Sequence, residues 1–240
     1  KRLALVIGNA NYDKGPLENP VNDARLIAET LYKLNFDTIL ATNLETRGLF
    51  LDKINEYGDR REKYNVGLVF YAGHGVQIGG DNYLLPTKEE YASERDVEDN
   101  AVNVSKIMRY LEDQSDEVNI LILDACRDNP YEIQWNATRS LKGNGLAKIP
   151  PPTGSLIAFS TDAGSTAPDG EGENSIYSLS LAKYMMEEDL SIYDVFNEVR
   201  AEVLAASNNR QRPVEENQLT GSRFYLNPSN FEDEFNEVDE

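Results

Sequence analysis

Short apolar runs alternate along this chain with segments in which apolar residues recur at helical spacing. The first run, residues 3–7, is uninterrupted and ends at Gly8, as expected for a strand buried on both faces. Later runs predict strands at 36–41, 66–71, 118–123 and 155–159. Alternation of strands with helices is typical of a mostly parallel sheet that helices cover on both faces. The pattern therefore predicts one α/β domain.

The connections between these strands are predicted to be mainly helical. Apolar residues share one helix face over segments 24–34, 49–57, 104–111 and 192–204. The triplet Gly79-Gly80-Asp81 predicts the turn of a hairpin over residues 76–85. Residues 222–226 predict a last, edge strand. The stretch 127–153 has no regular pattern and is longer than compact domains usually tolerate without a purpose.

The charge balance limits the classes of partner that this protein is expected to bind. With 23 Lys and Arg against 42 Asp and Glu, the net charge is −19. This argues against nucleic acid, whose phosphates require basic patches, and against anionic membrane surfaces. It favours attraction of basic peptides, although an acidic surface that serves only solvation is the simpler alternative. We expect a protein of the cytoplasm without a membrane helix.

The chain has one cysteine, Cys126, and one histidine, His74. A single cysteine forbids an internal disulfide and excludes CxxC redox or zinc frameworks. A single histidine excludes a multi-histidine metal site, and no EF-hand loop is present, so we expect neither a metal nor another cofactor. Chemistry that needs a Cys and a His must use these two residues. A serine hydrolase would need a second histidine or a GxSxG elbow, and the sequence has neither.

These two residues both follow predicted buried strands. Ligands bind at the carboxyl ends of the strands in an open parallel sheet, so neighbouring strands would bring His74 and Cys126 within reach. An adjacent imidazole raises the thiolate fraction of a cysteine and later protonates the leaving amine. The N–H groups of Gly75 and Cys126 are the natural pair for an oxyanion hole. Taken singly, a small buried hydrophobe and a structural histidine are the simpler interpretations.

Two strings carry a family resemblance: LVFYAGHG at 68–75 and LILDACR at 121–127. With LVIGN at 5–9, Tyr12, and FSTDAG at 159–164, they closely resemble the caspase superfamily. The likeness is nearest to bacterial caspase-like proteins, called orthocaspases, and to paracaspases. It spans residues 1–228. The caspase signature places its histidine about 50 residues before the cysteine, as here.

The resemblance implies a caspase-like three-layer αβα sandwich, with a six-stranded, mostly parallel sheet that has one antiparallel edge strand. It implies a Cys–His dyad and hydrolysis of peptide bonds through an acyl-enzyme. It divides the chain into a larger half at 1–126, a connecting loop at 127–153 and a smaller half at 154–228. Residues 229–240 are then an acidic tail or the start of a linker. Because the chain opens on Lys1, there is room for fused or regulatory domains outside it.

One departure from caspases bears on specificity. Caspases carry Gln two residues before the nucleophile, where this chain has Asp124. A buried carboxylate needs a partner, and the Arg or Lys side chain of a protein substrate supplies one. The paracaspase pattern makes Asp23 a second wall of this pocket, although a helix N-cap is its alternative. Asp162 is a weaker third wall, with a turn residue as the equal alternative.

The same preference for basic residues predicts self-processing in the 127–153 loop. Arg139 is the candidate site, because it lies mid-loop with small Ser140 after the cut. An ordered, uncut loop is the alternative. A catalytically silent caspase-like module that binds or regulates a partner is the competing function. Loss of His74 or Cys126 would mark such a module, and both residues are present.

Overall fold

The computed structural model describes residues 1–112, 117–126, 146–162, 172–221 and 223–229. The strands in these ranges are β1 Arg2–Gly8, β2 Phe36–Thr42, β3 Val66–Ile78, β4 Asp81–Leu84, β5 Val102–Asn103, β6 Val118–Cys126, β7 Ser155–Phe159 and β8 Val214–Asn217. The helices are α1 Pro20–Lys33, α2 Arg47–Arg61, α3 Glu94–Asn100, α4 Ser105–Glu112, α5 Ile176–Met185 and α6 Ile192–Ala206. No helix within the described ranges is long and apolar enough to cross a membrane.

The main sheet has the strand order β2-β1-β3-β6-β7-β8. Its first five strands run parallel, and β8 pairs antiparallel with β7 at the edge. The predicted six-stranded sheet with one antiparallel edge strand is therefore confirmed. Strands β4 and β5 form a small antiparallel extension on the carboxyl end of β3. The Gly79-Gly80 turn joins β3 to β4, and both glycines have positive φ, as a two-residue hairpin turn requires.

Two apolar layers cover the faces of the sheet, because alternate strand residues point to opposite sides. On β1, Ala4 and Val6 pack with the layer formed by α1, α5 and α6, whereas Leu3, Leu5 and Ile7 pack with α2 and α4. On β6, Ile120 and Ile122 belong to the first layer. Asp124 continues that alternation and therefore faces α1 and α5. A third apolar cluster, which includes Tyr12 and Leu85, supports the β3–β4 extension.

The prediction of an edge strand at residues 222–226 is wrong. The edge strand is β8, whose sequence Val-Glu-Glu-Asn lacks the apolar pattern of a buried strand. Tyr225 forms only an isolated bridge with Ser191. Its segment is held by the guanidinium of Arg2, which donates to the carbonyls of Tyr225 and Leu226 and lies over the Phe36 and Phe224 rings. These are side-chain contacts across most of the chain, which a local pattern does not show.

A close approach at Gly8 places the start of α1 over the carboxyl end of β1. A Cβ atom on Gly8 would lie 2.3 Å from the carbonyl oxygen of Pro20 and 2.7 Å from the Cβ of Ala24. Such contacts are far inside van der Waals distance, so only glycine allows the helix to lie this near. The first turn of α1, which carries Asp23, is thereby brought to the carboxyl end of the parallel strands, where His74 pairs with Cys126.

Candidate active site

The strands that carry His74 and Cys126 are neighbours. Strands β3 and β6 pair in parallel from Val66 and Val118 to their last shared position, where His74 is the Cα partner of Cys126. The sequence predicts both residues just beyond the strands, whereas in the structure both lie within them. The reason is that β3 continues to Ile78 to form the hairpin with β4, so pairing extends past Tyr71. The backbone thus sets the two residues side by side.

Two tyrosine hydroxyls hold the backbone of His74. The His74 N–H donates to the Tyr12 hydroxyl at 2.9 Å. The His74 carbonyl accepts from the Tyr71 hydroxyl at 2.7 Å and from the Leu85 N–H at 3.1 Å. Gly73 makes room for these hydroxyls: its φ is +152°, and a Cβ there would lie 2.6 Å from each of them. A side chain at position 73 would therefore break this clamp.

The imidazole of His74 is buried, and its Nε2 lies 2.6 Å from the carbonyl oxygen of Gly15. A carbonyl oxygen can only accept a hydrogen bond, so Nε2 carries the proton. In the neutral ring, Nδ1 is then the basic nitrogen. The Tyr12 ring lies 4.5 Å from the imidazole centroid to centroid, at an interplanar angle of 55°. The ring is thus fixed in one tautomer, with the basic nitrogen that a general base requires.

Asp23 and Asp124 are both buried, and both are held by the start of α5. Asp23 Oδ1 accepts from the Asn174 side-chain amide and from the Ser175 N–H, each at 2.9 Å. Asp124 Oδ2 accepts from the Ser175 hydroxyl at 3.0 Å and from the Ser178 hydroxyl at 3.1 Å. These donors are neutral, so they orient the carboxylates without cancelling their charge. The structure therefore brings Asp23 and Asp124, far apart in sequence, to a common neighbour.

The alternative role of Asp23 as a helix N-cap does not hold. The N-cap position of α1 is Asn19, and Asp23 lies inside the first turn. Burial first, and then the negative charge of Asp124, raise the pKa of Asp23 from 3.8 to about 7. The hydrogen bonds from Asn174 and Ser175 oppose this shift only in part. The pair thus resists double ionisation, and a cation between the two acids would relieve that resistance.

Gly75 lies beside Leu146, in the segment that precedes β7. A Cβ on Gly75 would lie 3.0 Å from the side chain of Leu146 and 3.1 Å from the Cβ of Ala125. The side-chain amide of Asn82 donates to the Ala147 carbonyl and accepts from the Ala147 N–H, at 2.8 and 2.6 Å. The end of the predicted loop is therefore anchored next to Gly75. The role of Gly75 in an oxyanion hole stays a prediction.

The roles of two further predicted residues, Asp162 and Arg139, stay predictions. Asp162 lies three residues beyond the end of β7 and is half-buried, so its place in a pocket stays a prediction. Arg139 lies outside the described residues. Within the described ranges, no group of three or more His, Cys, Asp or Glu side chains is placed to hold a metal ion.

Sequence reasoning missed the residues that hold the predicted ones. These are Gly15, Tyr71, Asn174, Ser175 and Ser178. A signal for Ser175 was present: a serine directly before the apolar start of a helix is a common N-cap. Nothing in the local sequence connects Ser175 to Asp23 or to Asp124.

Nearly the whole chain matches a family of known proteins. The family described as "Caspase domain" matches residues 1–225. The human "Mucosa-associated lymphoid tissue lymphoma translocation protein 1" is 30% identical over 135 residues, which cover 55% of this chain and 16% of that protein. The mouse homolog is 29% identical over the same length. The chain therefore matches less than a fifth of the length of these relatives.

Among solved structures, the crystal structure of the Drosophila initiator caspase Dronc has a similar fold. The TM-score is 0.68, with 95% of this chain and 83% of that chain covered. The sequences are 13% identical, so this likeness concerns the fold alone. It confirms the predicted caspase-like arrangement of sheet and helices.

Proposed function

The chain belongs to the caspase domain family of peptidases, and on that basis we propose that it is a cysteine endopeptidase that cleaves after Arg and, less readily, after Lys. In this proposal Cys126 is the nucleophile, His74 is the general base, and Asp23 and Asp124 bind the basic side chain. Protein or peptide chains are the substrates. Asp162 is a further candidate for the same pocket.

The pairing of His74, within β3, with Cys126, at the end of β6, is the observation that carries the proposal. His74 Nδ1 takes the proton of the Cys126 thiol, and the thiolate attacks the carbonyl carbon of the scissile bond. The resulting oxyanion is stabilised by the N–H groups of Gly75 and Cys126. The imidazolium then returns its proton to the leaving amine as the C–N bond breaks. Water hydrolyses the thioester in the reverse sequence of proton transfers and frees Cys126.

The preference for Arg is supported by the burial of two carboxylates at one place. A guanidinium is planar, always charged, and able to donate to more than one oxygen at once, so two fixed carboxylates suit it well. A lysine ammonium supplies the charge without the planar fork, which makes it the weaker ligand. A substrate carboxylate would meet the negative charge of this acid pair in a poorly solvated pocket. Substrates with Asp before the cut should therefore be inert.

The central test compares the parent protein with Cys126→Ala and His74→Ala on an Arg-containing fluorogenic peptide. Either substitution should lower kcat/KM by at least about 10²-fold, the loss typical of a missing general base or nucleophile. A thiol-directed electrophile should label the parent at Cys126, and mass spectrometry can assign the label without ambiguity because the chain has one cysteine. Cleavage by Cys126→Ala at the parent rate would refute the proposal. A folded parent that cleaves no peptide would indicate the silent-module alternative.

A further inference from the structure

Ser175 contacts both buried acids, and it does so with two different groups. Its backbone N–H donates to Asp23 Oδ1 at 2.9 Å, and its hydroxyl donates to Asp124 Oδ2 at 3.0 Å. The same hydroxyl accepts from the Ser178 N–H at 3.0 Å and so caps α5. A serine hydroxyl has one proton and two lone pairs, so these contacts use its proton and one lone pair in fixed directions.

The serine that caps the other helix of the small half uses its hydroxyl differently. Ser191, the N-cap of α6, directs its hydroxyl to the carboxylate of Asp194 within its own helix. Ser175 instead donates its hydroxyl proton to a residue outside α5. The acceptor is Asp124 on β6, a strand that precedes residues 127–153 in the chain. The cap of α5 therefore serves the packing of distant acids as well as the start of its own helix.

Ser175 therefore fixes the relative positions of two carboxylates that lie on different elements. Asp23 lies on α1 and Asp124 on β6, and each would otherwise choose its rotamer independently. Because Ser175 is the N-cap of α5, a helix that packs on the sheet, its N–H and hydroxyl fix the two carboxylates against one rigid reference. Ser178, one turn further along α5, adds a second hydrogen bond to Asp124.

We propose that Ser175 is a positioning residue that sets the preference for Arg over Lys by fixing Asp23 and Asp124 relative to each other. This inference rests on the proposed function. A planar guanidinium gains from two carboxylates in a set geometry, whereas a lysine ammonium is a point charge that tolerates their displacement. Loss of the Ser175 hydroxyl therefore costs Arg substrates more than Lys substrates. The acyl-transfer chemistry at Cys126 is left intact, so KM responds and kcat does not.

The test measures kcat and KM of matched Arg and Lys peptides at pH 8 for the parent, Ser175→Ala and Ser175→Thr. Ser175→Ala keeps the backbone N–H to Asp23 and removes only the hydroxyl. We expect KM for the Arg peptide to rise about tenfold, the loss of one hydrogen bond to a charged group, with kcat within twofold of the parent. KM for the Lys peptide should rise less, so the Arg-to-Lys ratio of kcat/KM falls. Ser175→Thr keeps a hydroxyl and should restore the ratio.

Two further variants separate this role from simple capping. Ser191→Ala removes the serine N-cap of α6, whose hydroxyl bonds Asp194, and should lower thermal stability while leaving the Arg-to-Lys ratio unchanged. If Ser175→Ala fails to fold, Ser175→Gly replaces it, because glycine is nearly neutral at an N-cap and also lacks the hydroxyl. A parent that cleaves neither peptide refutes the proposed function. A parent that prefers Arg, with Ser175→Ala or Ser175→Gly keeping the same ratio, refutes the role of Ser175 alone.

Discussion

The Tyr12 hydroxyl accepts a hydrogen bond from the His74 N–H, while the Tyr12 ring lies against the His74 imidazole. One side chain thus fixes both the backbone and the ring of the proposed base. The contact joins residues separated by 62 positions, across the carboxyl end of the sheet. The clamp is completed from the other side by the Tyr71 hydroxyl on the His74 carbonyl. The position of the base therefore depends on tyrosines that take no part in the proton transfers.

Tyr12→Phe tests this dependence, because it keeps the ring and removes the hydroxyl. The buried His74 N–H loses its acceptor, which should cost about 1–3 kcal/mol and loosen the base. We expect kcat to fall about tenfold for an Arg peptide, with KM little changed. Tyr57→Phe is the matched control, since it removes a buried hydroxyl beside Gly67, at the opposite end of β3. Equal kcat for Tyr12→Phe and the parent would show that the hydroxyl does not position His74.

Asp124→Asn tests the charge of the pocket without changing its shape. The amide oxygen can still accept from Ser175 and Ser178, but the guanidinium loses a charge-assisted partner worth a few kcal/mol. We expect kcat/KM for an Arg peptide to fall by about 100-fold or more, and the parent to leave Asp peptides uncut. Asp194→Asn, at the cap of α6, is the control and should cleave like the parent. Preferential cleavage after Asp by the parent would overturn the pocket.

The raised pKa of Asp23 gives a stability that depends on pH. The folded protein holds the Asp23 proton up to about pH 7, whereas the unfolded chain releases it near 3.8. Between these values the folded state binds more protons, so the contribution of Asp23 to stability falls as pH rises and levels above about pH 7. We expect the free energy of unfolding of the parent, minus that of Asp23→Asn, to decline from pH 5 to pH 7 in urea titrations. A difference that stays constant with pH would contradict the buried acid pair.

A chemical consequence of the same pair is that binding of a basic substrate releases a proton. Near pH 7 Asp23 is partly protonated, and an arriving guanidinium favours its ionised form. KM for an Arg peptide should therefore decrease as pH rises through about 7, while Asp23→Asn should show no such decrease. The two measurements on Asp23→Asn, stability and KM, use the same variant and address the folded and substrate-bound states separately.

Self-processing at Arg139 is expected from the preference for basic residues. The purified protein, incubated alone, should yield a fragment with Ser140 at its new N-terminus. Cys126→Ala should stay intact, and Arg139→Ala should lose this fragment while it still cleaves Arg peptides. N-terminal sequencing of the fragments is the measurement. A parent that rapidly cleaves Arg peptides and yet remains a single intact chain would exclude processing of the loop.

Alanine substitutions at Gly8 and Gly48 distinguish the effect of close packing on stability from the effect of helix propensity. Gly8→Ala would force the start of α1 away from β1 and should destabilise the protein by roughly 1–3 kcal/mol. Because Asp23 moves with α1, cleavage after Arg should fall as well. At Gly48, in α2, the nearest atom to an added Cβ lies 3.8 Å away, so Gly48→Ala should stabilise by up to about 1 kcal/mol. Urea unfolding of both variants checks the signs.

The features that could be predicted from the sequence are those that local patterns show. The buried strands are continuous apolar runs, and a single histidine and a single cysteine at two strand ends leave little choice of chemistry. Ser175 could not be found in this way, because its hydrogen bond to Asp23 spans 152 positions and that to Asp124 spans 51. Such partners are set by how α5 packs against the sheet. The edge strand β8 was missed for a different reason: its half-buried residues, two of them acidic, do not have the pattern of a buried strand.

The pairing of β7 with β6 decides what a cut in the loop between them would produce. Strand β7 pairs with β6 along its whole length, from Ser155 to Phe159, and the contact is buried between two helical layers. A chain severed at Arg139 would therefore remain one particle, a heterodimer whose two subunits come from a single translation product. Denaturing electrophoresis would resolve two bands, whereas size exclusion would return one peak at the elution volume of the uncut protein. Each subunit alone would carry an open sheet edge, so the pieces should separate only on unfolding.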